Sequence, residues 1–271
     1  MKFTLVTTTC NRESEFKRMI ESLSGVNSQY LKKIIVIDQS DEHIFRKNEV
    51  VLNGLSIDVV HKAVDRTSLS NARNQALAFV DDTSGLLCFP DDDCWYSENF
   101  FEIMAKLFKD NNFDIVQTYY REPQLEGRIP PAALIDKRNA RYLHPCSVGI
   151  FINLMSVPSP EIYFDEKLGV GASLPGGEES DLLFRLLRHG YSIKQIISPY
   201  VYHKVMRERL VKPSYKIHAA RFYVMLKNKE LVDIKKRLIF SFLKSITTVF
   251  WDHRNIIGKM YALKLWFLNK K

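Results

Sequence analysis

Phe89-Pro90-Asp91-Asp92-Asp93 places three carboxylates in consecutive positions. Like charges repel at this spacing, so a fold keeps them together most readily where a cation compensates. A hard divalent cation takes one or two protein carboxylates and completes its shell with substrate phosphates and water. Asp91 and Asp93 are therefore candidate metal ligands, the alternative being a solvated acidic turn in which Asp93 caps a helix. A second acidic group follows glycines, in Gly176-Gly177-Glu178-Glu179-Ser180-Asp181. Carboxylates in the first turn of a helix complement its dipole, and one beside a substrate hydroxyl can take its proton. Asp38 closes the apolar run Ile34–Ile37, where it can accept hydrogen bonds from a ribose or a base edge, or simply form a turn. Arg73, in Ser70-Asn71-Ala72-Arg73-Asn74, falls near the start of a helix and gains nothing from the dipole there. A nearby anion or an ion pair would explain it.

These residues need a scaffold that brings distant segments together. The first 120 residues alternate short apolar runs with helical patterns. Strands are expected at Phe3–Thr8, Ile34–Ile37, Ile57–Val60, Leu86–Phe89 and from Ile115. Helices are expected over Asn11–Leu23, over Ser70–Val80 and from Ser97, where Phe100, Phe101, Met104, Leu107 and Phe108 share one face. Strands alternating with helices imply a mostly parallel sheet covered on both faces. Ligands of such sheets bind beyond the carboxyl ends of the strands, and Thr8–Arg12, Asp38 and Asp91–Asp93 all fall there. The middle segment is less regular, with a strand expected at Val148–Ile152. Glycines 169, 171, 176 and 177 mark a flexible loop ahead of a helix that bears Leu182, Leu183, Leu186 and Leu187. Gly190 ends this helix, and Ile196–Tyr202 reads as a strand leading to His203.

The chain has 271 residues, 46% of them hydrophobic, and a formal charge of +8. That composition supports a large core and argues against disorder. Four cysteines without a CxxC pair argue against a disulfide framework or zinc ribbon and for a reducing compartment. The charge is uneven: 17 Lys and Arg against 4 Asp and Glu lie between Lys204 and Lys271, a net +13 that leaves −5 for the rest. Neither a signal peptide nor a spanning helix is read, so a cytoplasmic protein is expected. In the basic quarter Leu238, Ile239, Phe242, Leu243, Ile246, Val249 and Phe250 fall on one helical face and Arg237 and Lys244 on the other. Trp251, Trp266 and Phe267 add aromatics. Such a stripe either packs on the preceding domain or lies on an anionic membrane at the inner face of the cell membrane.

The ordered set of motifs resembles glycosyltransferase family 2. It comprises Thr8-Thr9-Cys10-Asn11-Arg12, Val36-Ile37-Asp38-Gln39-Ser40, Leu69–Asn74, Phe89–Asp93, Tyr163–Gly169 and Gly177–Leu182 with Arg185 and Gly190. The resemblance runs from Lys2 to His203. It implies an α/β GT-A fold, a Rossmann-like mostly parallel sheet with helices on both faces, over residues 1–203, followed by a basic helical region over 204–271. It also implies transfer of a hexose from a nucleoside-diphosphate sugar, commonly a uridine diphosphate sugar, with inversion at the anomeric carbon. Thr8, Cys10 and Arg12 in the first motif, with Asp38, match nucleotide-holding positions. Arg73 matches a position near the diphosphate, Asp91 and Asp92 lie in the donor-binding segment, and Asp91 and Asp93 match the D-x-D pair that engages Mn²⁺ or Mg²⁺. His203 is a further candidate ligand.

Where the family usually reads Glu-Asp, this chain reads Glu178-Glu179. Glu179 is therefore the leading candidate base, with Glu178 and Asp181 as rivals. The implied acceptor is a hydroxyl of a glycan or of a lipid-linked oligosaccharide, as in surface-polysaccharide assembly. Three other readings compete. A sugar nucleotidyltransferase would normally carry a glycine-rich loop where Thr8–Arg12 stands. A basic nucleic-acid-binding protein draws on the charged tail, but no nucleic-acid-binding motif accompanies it and no specific nucleic acid is expected. A non-catalytic sugar-nucleotide binder draws on the Glu-for-Asp change.

Overall fold

The computed structural model describes residues 1–26, 29–80, 84–122, 131–203, 214–248 and 253–268. Strands β1 (Phe3–Thr9), β2 (Leu31–Asp38), β3 (Asp58–Ala63) and β4 (Leu86–Cys88) form the parallel half of an eight-stranded sheet. The order is β3-β2-β1-β4-β8-β5-β9-β7, where β5 is Ile115–Gln117, β7 Ala133–Ile135, β8 Ile150–Asn153 and β9 Ile193–Gln195. β8 runs antiparallel to both β4 and β5, whereas β5 and β9 pair in parallel. A separate ribbon joins β6 (Tyr120–Arg121) to β10 (Val201–Tyr202) in parallel.

Helices α1 (Glu13–Ser24), α2 (Glu42–Leu52), α3 (Leu69–Leu77), α4 (Phe100–Asn111) and α5 (Glu178–His189) surround the sheet. The expected periodicities hold where the apolar stripe is strong. Phe16, Met19, Ile20 and Leu23 of α1 are buried, as are Leu182, Leu183, Leu186 and Leu187 of α5. Gly190 caps α5 in the left-handed region, at φ 101°.

Helix α2 was not expected from the sequence, because it buries only Asn48 and Leu52 and so has almost no apolar stripe to detect. The segment read as one strand over Ile196–Tyr202 is divided: β9 ends at Gln195, and only Val201 and Tyr202 pair again, in the other sheet. The glycine loop is held to its surroundings. Gly169 N–H bonds the Leu174 carbonyl, Leu69 N–H bonds the Val170 carbonyl, and Ser70 Oγ donates to the Leu168 carbonyl at 2.6 Å.

The basic quarter forms α6 (Tyr215–Lys227), α7 (Val232–Thr248) and α8 (His253–Leu268). Ala219, Phe222, Tyr223 and Val224 of α6 join the same apolar core as α5 and β8. Polar anchors reinforce that seam. Lys227 Nζ lies 2.6 Å from Asp165 Oδ2 and 2.8 Å from Asp181 Oδ2, and Asn228 donates to Asp181 at 3.1 Å. On α7 the expected apolar stripe divides: Ile239 and Leu243 are 53% and 56% exposed, whereas Leu238 packs against the core and Phe242 sets its ring 6.4 Å from that of Phe222. The side chains of Ile246, Val249, Phe250 and Trp251 lie outside the described residues. Among the described residues no helix is long and apolar enough to cross a membrane.

Burial raises the Asp165 carboxyl's pKa, but the charge and hydrogen bond of Lys227 outweigh it and hold the group below its ordinary value. The stability this provides is present above the unfolded carboxyl value of about 4 and is lost as pH falls through the lower folded value. Lys227→Met leaves Asp165 without its ion-pair partner and Asp181 with Arg185 alone, and is expected to cost about 3 kcal/mol at neutral pH. The variant's melting point should also respond less to acid. Equal midpoints at pH 7 would show that apolar packing alone seats α6.

Candidate active site

The aspartate trio stands in the turn after β4, at the carboxyl edge of the parallel strands, and its members point in different directions. Asp92 turns inward, where Thr9 Oγ1 donates to it at 2.9 Å and Arg12 Nη1 at 3.0 Å. Burial raises its pKa to about 6, against the opposing charge of Arg12. Asp93 accepts from Arg12 Nη2 at 2.9 Å through one oxygen and lies 2.8 Å from His203 Nε2 through the other. Burial raises its pKa, but the hydrogen bonds and charges of His203 and Arg12 prevail and hold it well below the carboxylate range. Asp91 accepts from Arg73 Nη2 at 2.8 Å and from Ser147 Oγ at 3.2 and 3.3 Å, and its Oδ2 lies 3.9 Å from His203 Nε2.

Asp91, Asp93 and His203 thus offer three ligand atoms within 4.8 Å of one another, all half-buried. Their other oxygens are held by arginines, which leaves one oxygen of each aspartate directed at the imidazole. Two carboxylate oxygens and one imidazole nitrogen make a donor set that suits a divalent metal. His203 is delivered by β10, whose Tyr202 exchanges backbone hydrogen bonds with Trp95 at 2.9 Å each way. Trp95 stacks on Tyr202 and carries the Arg18 guanidinium 4.2 Å from its ring. Arg18 in turn donates to the Asp93 carbonyl at 2.6 Å.

Arg73 joins this cluster to the glutamate pair. Its side chain is 2% exposed, and its second terminal nitrogen lies 3.8 Å from Glu178 Oε1. Glu178 is buried at the start of α5, after Gly177 at φ 90°. Glu179 follows it half-buried. Burial pushes its carboxyl up to about 8, the charge of Glu178 adds to the rise, and Arg73 opposes it. Asp181, one turn further, is engaged by Lys227, Asn228 and Arg185. It faces α6.

At the other end of the parallel edge Asp38 is wholly buried. It accepts from Ser40 N–H at 2.9 Å and Asn48 Nδ2 at 2.8 Å and lies 3.0 Å from His61 Nε2. Burial raises its pKa, but these hydrogen bonds prevail and lower it. Thr8 and Cys10 are half-buried beside it, and Cys10 Sγ donates to the Gln39 carbonyl at 3.5 Å. Asn11, at φ 54°, ties the first turn to the second through Ser40 and Asp41. Thr9, Arg18, Ser147, His61 and Asn48 also help to build the site. Sequence reading passed over them, because isolated polar residues carry no pattern that announces a partner 10 to 83 positions away.

The Glycosyl transferase family 2 model matches residues 4–148. No curated protein matches the chain in sequence. Among solved structures, S. aureus TarS residues 1–349 superpose with a TM-score of 0.70 at 16% identity, covering 97% of this chain and 79% of that one. The same TarS fragment in complex with UDP-GlcNAc gives 0.67 at 15% identity, covering 88% and 72%. The chain spans only 43% of the longer TarS structure, with a TM-score of 0.67, 16% identity and 88% of this chain covered. At these identities the likeness speaks for the fold, which is the expected GT-A arrangement. Because the family model covers more than half of its length, this chain belongs to glycosyltransferase family 2.

Proposed function

We propose that the protein is an inverting glycosyltransferase that moves a sugar from a uridine diphosphate donor to an acceptor hydroxyl by single displacement, with Glu179 as base. The observation that carries this reading is the arrangement around Arg73. One buried guanidinium links the Asp91 end of a metal-type cluster to the first turn of the helix that bears Glu179. The TarS fragment is described with UDP-GlcNAc and with UDP, which supports a uridine diphosphate donor here.

Asp91, Asp93 and His203 would hold Mn²⁺ or Mg²⁺, which supplies Lewis-acid neutralisation of the charge that develops on a departing diphosphate. The mixed oxygen and nitrogen donors favour Mn²⁺ over Mg²⁺. Arg12 keeps Asp92 and Asp93 in place, and its exposed side chain can also meet the donor phosphates. Arg73 orients Asp91. Thr8, Cys10 and the turn that Asp38 braces form the nucleoside end. Asp38 acts there by position, since its oxygens are already engaged by Ser40, Asn48 and His61.

Glu179 accepts the acceptor hydroxyl's proton as that oxygen attacks the anomeric carbon and the bond to the diphosphate oxygen breaks. Only its carboxylate form can do this. Glu178, held at Arg73, positions the first turn of α5, and Asp181 fastens that helix to α6. The acceptor is a glycan or a lipid-linked oligosaccharide. Its membrane origin is favoured by apolar side chains that α7 and α8 expose: Ile239 and Leu243 on the first and Met260, Phe267 and Leu268 on the second are all more than half exposed. Lysines and arginines of the same helices can meet anionic headgroups.

A panel of nucleotide sugars, scored for release of nucleoside diphosphate with and without chelator, tests the reaction class. Glu179→Gln should lower transfer by about a thousandfold while donor affinity stays unchanged. A wild-type rate in this variant removes Glu179 from the role. Since the group is protonated below about 8, kcat/KM should rise with pH towards that value. A flat profile from about pH 6 to 9 would contradict the assignment. Flotation with vesicles rich in anionic lipid should recover the protein at low salt, and its absence from the floated fraction would end the membrane reading.

A further inference from the structure

A cavity of about 650 Å³ lies between the first turn of α5 and the helices α6, α7 and α8. Gly177 and Ser180, which bracket the glutamate pair in the chain, both line it. The volume falls in the range of small-molecule sites. Among the described residues its lining carries five basic side chains, His218, Arg221, Arg237, Lys244 and Lys259, and no Asp or Glu. The helices bring them there by their periodicity. His218 and Arg221 are three apart on α6, and Arg237, Ser241 and Lys244 follow Ile234 along one face of α7.

Lys259 reaches the cavity because Gly258 lets α8 lie directly on α6. A Cβ at Gly258 would stand 2.4 Å from the Tyr215 carbonyl oxygen. Lys259 itself is buried, donates to the Ser241 carbonyl, and holds its Nζ 5.6 Å from the Phe222 ring centroid. Burial lowers its pKa, and the charge of Lys244 lowers it further. Like charges gathered in a concave, partly dry site raise its positive potential and favour an anion there. Arginine forks and lysine ammonium groups together match phosphate oxygens.

We propose that this cavity seats the acceptor through a phosphate or diphosphate ester that the acceptor carries, with a sugar hydroxyl extending past Ser180 to Glu179. The catalytic part of this inference rests on the reading of Glu179 as base; the anion site does not. The donor diphosphate belongs to the Asp91, Asp93 and His203 cluster, none of which lines the cavity.

Inorganic pyrophosphate, titrated calorimetrically into the full chain in chelator, probes the site without metal. Wild type should bind it, and R221Q/R237Q should weaken binding about tenfold or more. Both arginines are exposed, so the fold should persist, and Lys244→Gln provides a second, single-charge variant. K235Q/K236Q removes the same charge from α7 outside the cavity and should change the affinity by no more than about twofold. No binding by wild type at about millimolar pyrophosphate, or equal losses in the two double variants, would overturn the proposal. UDP affinity, measured in parallel, reports the donor site. Its absence alongside a pyrophosphate site that depends on Arg221 and Arg237 would remove the transferase reading and keep the anion site.

Two acceptors then distinguish the source of the phosphate, a polyprenyl-diphosphate-linked saccharide and a glycan joined by phosphodiesters. R221Q/R237Q should raise KM for the true one while donor KM and kcat hold. A phosphate-free acceptor used as well as either, with the same KM in both proteins, would overturn the acceptor role.

Discussion

The site depends on one buried guanidinium. Arg73 is almost fully withdrawn from solvent between Asp91 and Glu178, 5.3 Å from the Phe164 ring. A charge so placed is tolerated only where counter-charges and hydrogen bonds surround it. Its neighbours on α3 share the task. Asn74 exchanges hydrogen bonds with the backbone of Phe164, at 2.8 and 2.9 Å, and Ser70 holds the Leu168 carbonyl. Positions i, i+3 and i+4 of one short helix therefore tie the turn after β4 to the loop that leads into α5. The metal-type cluster and the glutamate pair are about 90 residues apart in sequence, yet they are held by one helix face.

A second charged cluster performs the corresponding task for the C-terminal helices. Lys227 bridges Asp165 and Asp181, one on the loop and one on the helix that bears the glutamates. The position of α6 is thereby coupled to the geometry of α5. This explains how a region that differs so strongly in charge from the preceding domain can still contribute one wall of a cavity beside Glu178 and Glu179. The basic side chains of α7 that line this wall are those a reading by amphipathicity assigns to solvent. Of the apolar residues of the same helix, Ile239 and Leu243 are exposed and do not line the cavity, whereas Ile234 and Phe240 do.

The parallel half of the fold was legible because its strands are nearly continuous apolar runs and its long helices have strong stripes. Thr8–Arg12, Asp38 and Asp91–Asp93 then fell at strand ends by topology alone. What was missed has common physical causes. Helix α2 has almost no stripe, since it buries only Leu52 besides Asn48, whose amide serves Asp38. The direction of β8 was invisible, because a fully buried strand reads the same whether its neighbours run parallel or antiparallel. The break between β9 and β10 depends on a change of sheet rather than on any local signal. The roles within the glutamate segment were equally hidden, because Glu178, Glu179 and Asp181 differ in environment and hardly in local sequence.

Sequence by itself determined the class of fold, the order of the motifs and the residue types of the site, because apolar periodicity and residue chemistry are local properties. Tertiary structure alone decided which carboxylates share a cation, which are spent on bracing, and which face of the basic helices turns inward. Those outcomes are set by burial and by partners distant in the chain. Asp92 and Asp93 are adjacent, yet one is driven up by desolvation and the other held down by His203 and Arg12. No property of two neighbouring aspartates could have separated them before the chain had folded around them.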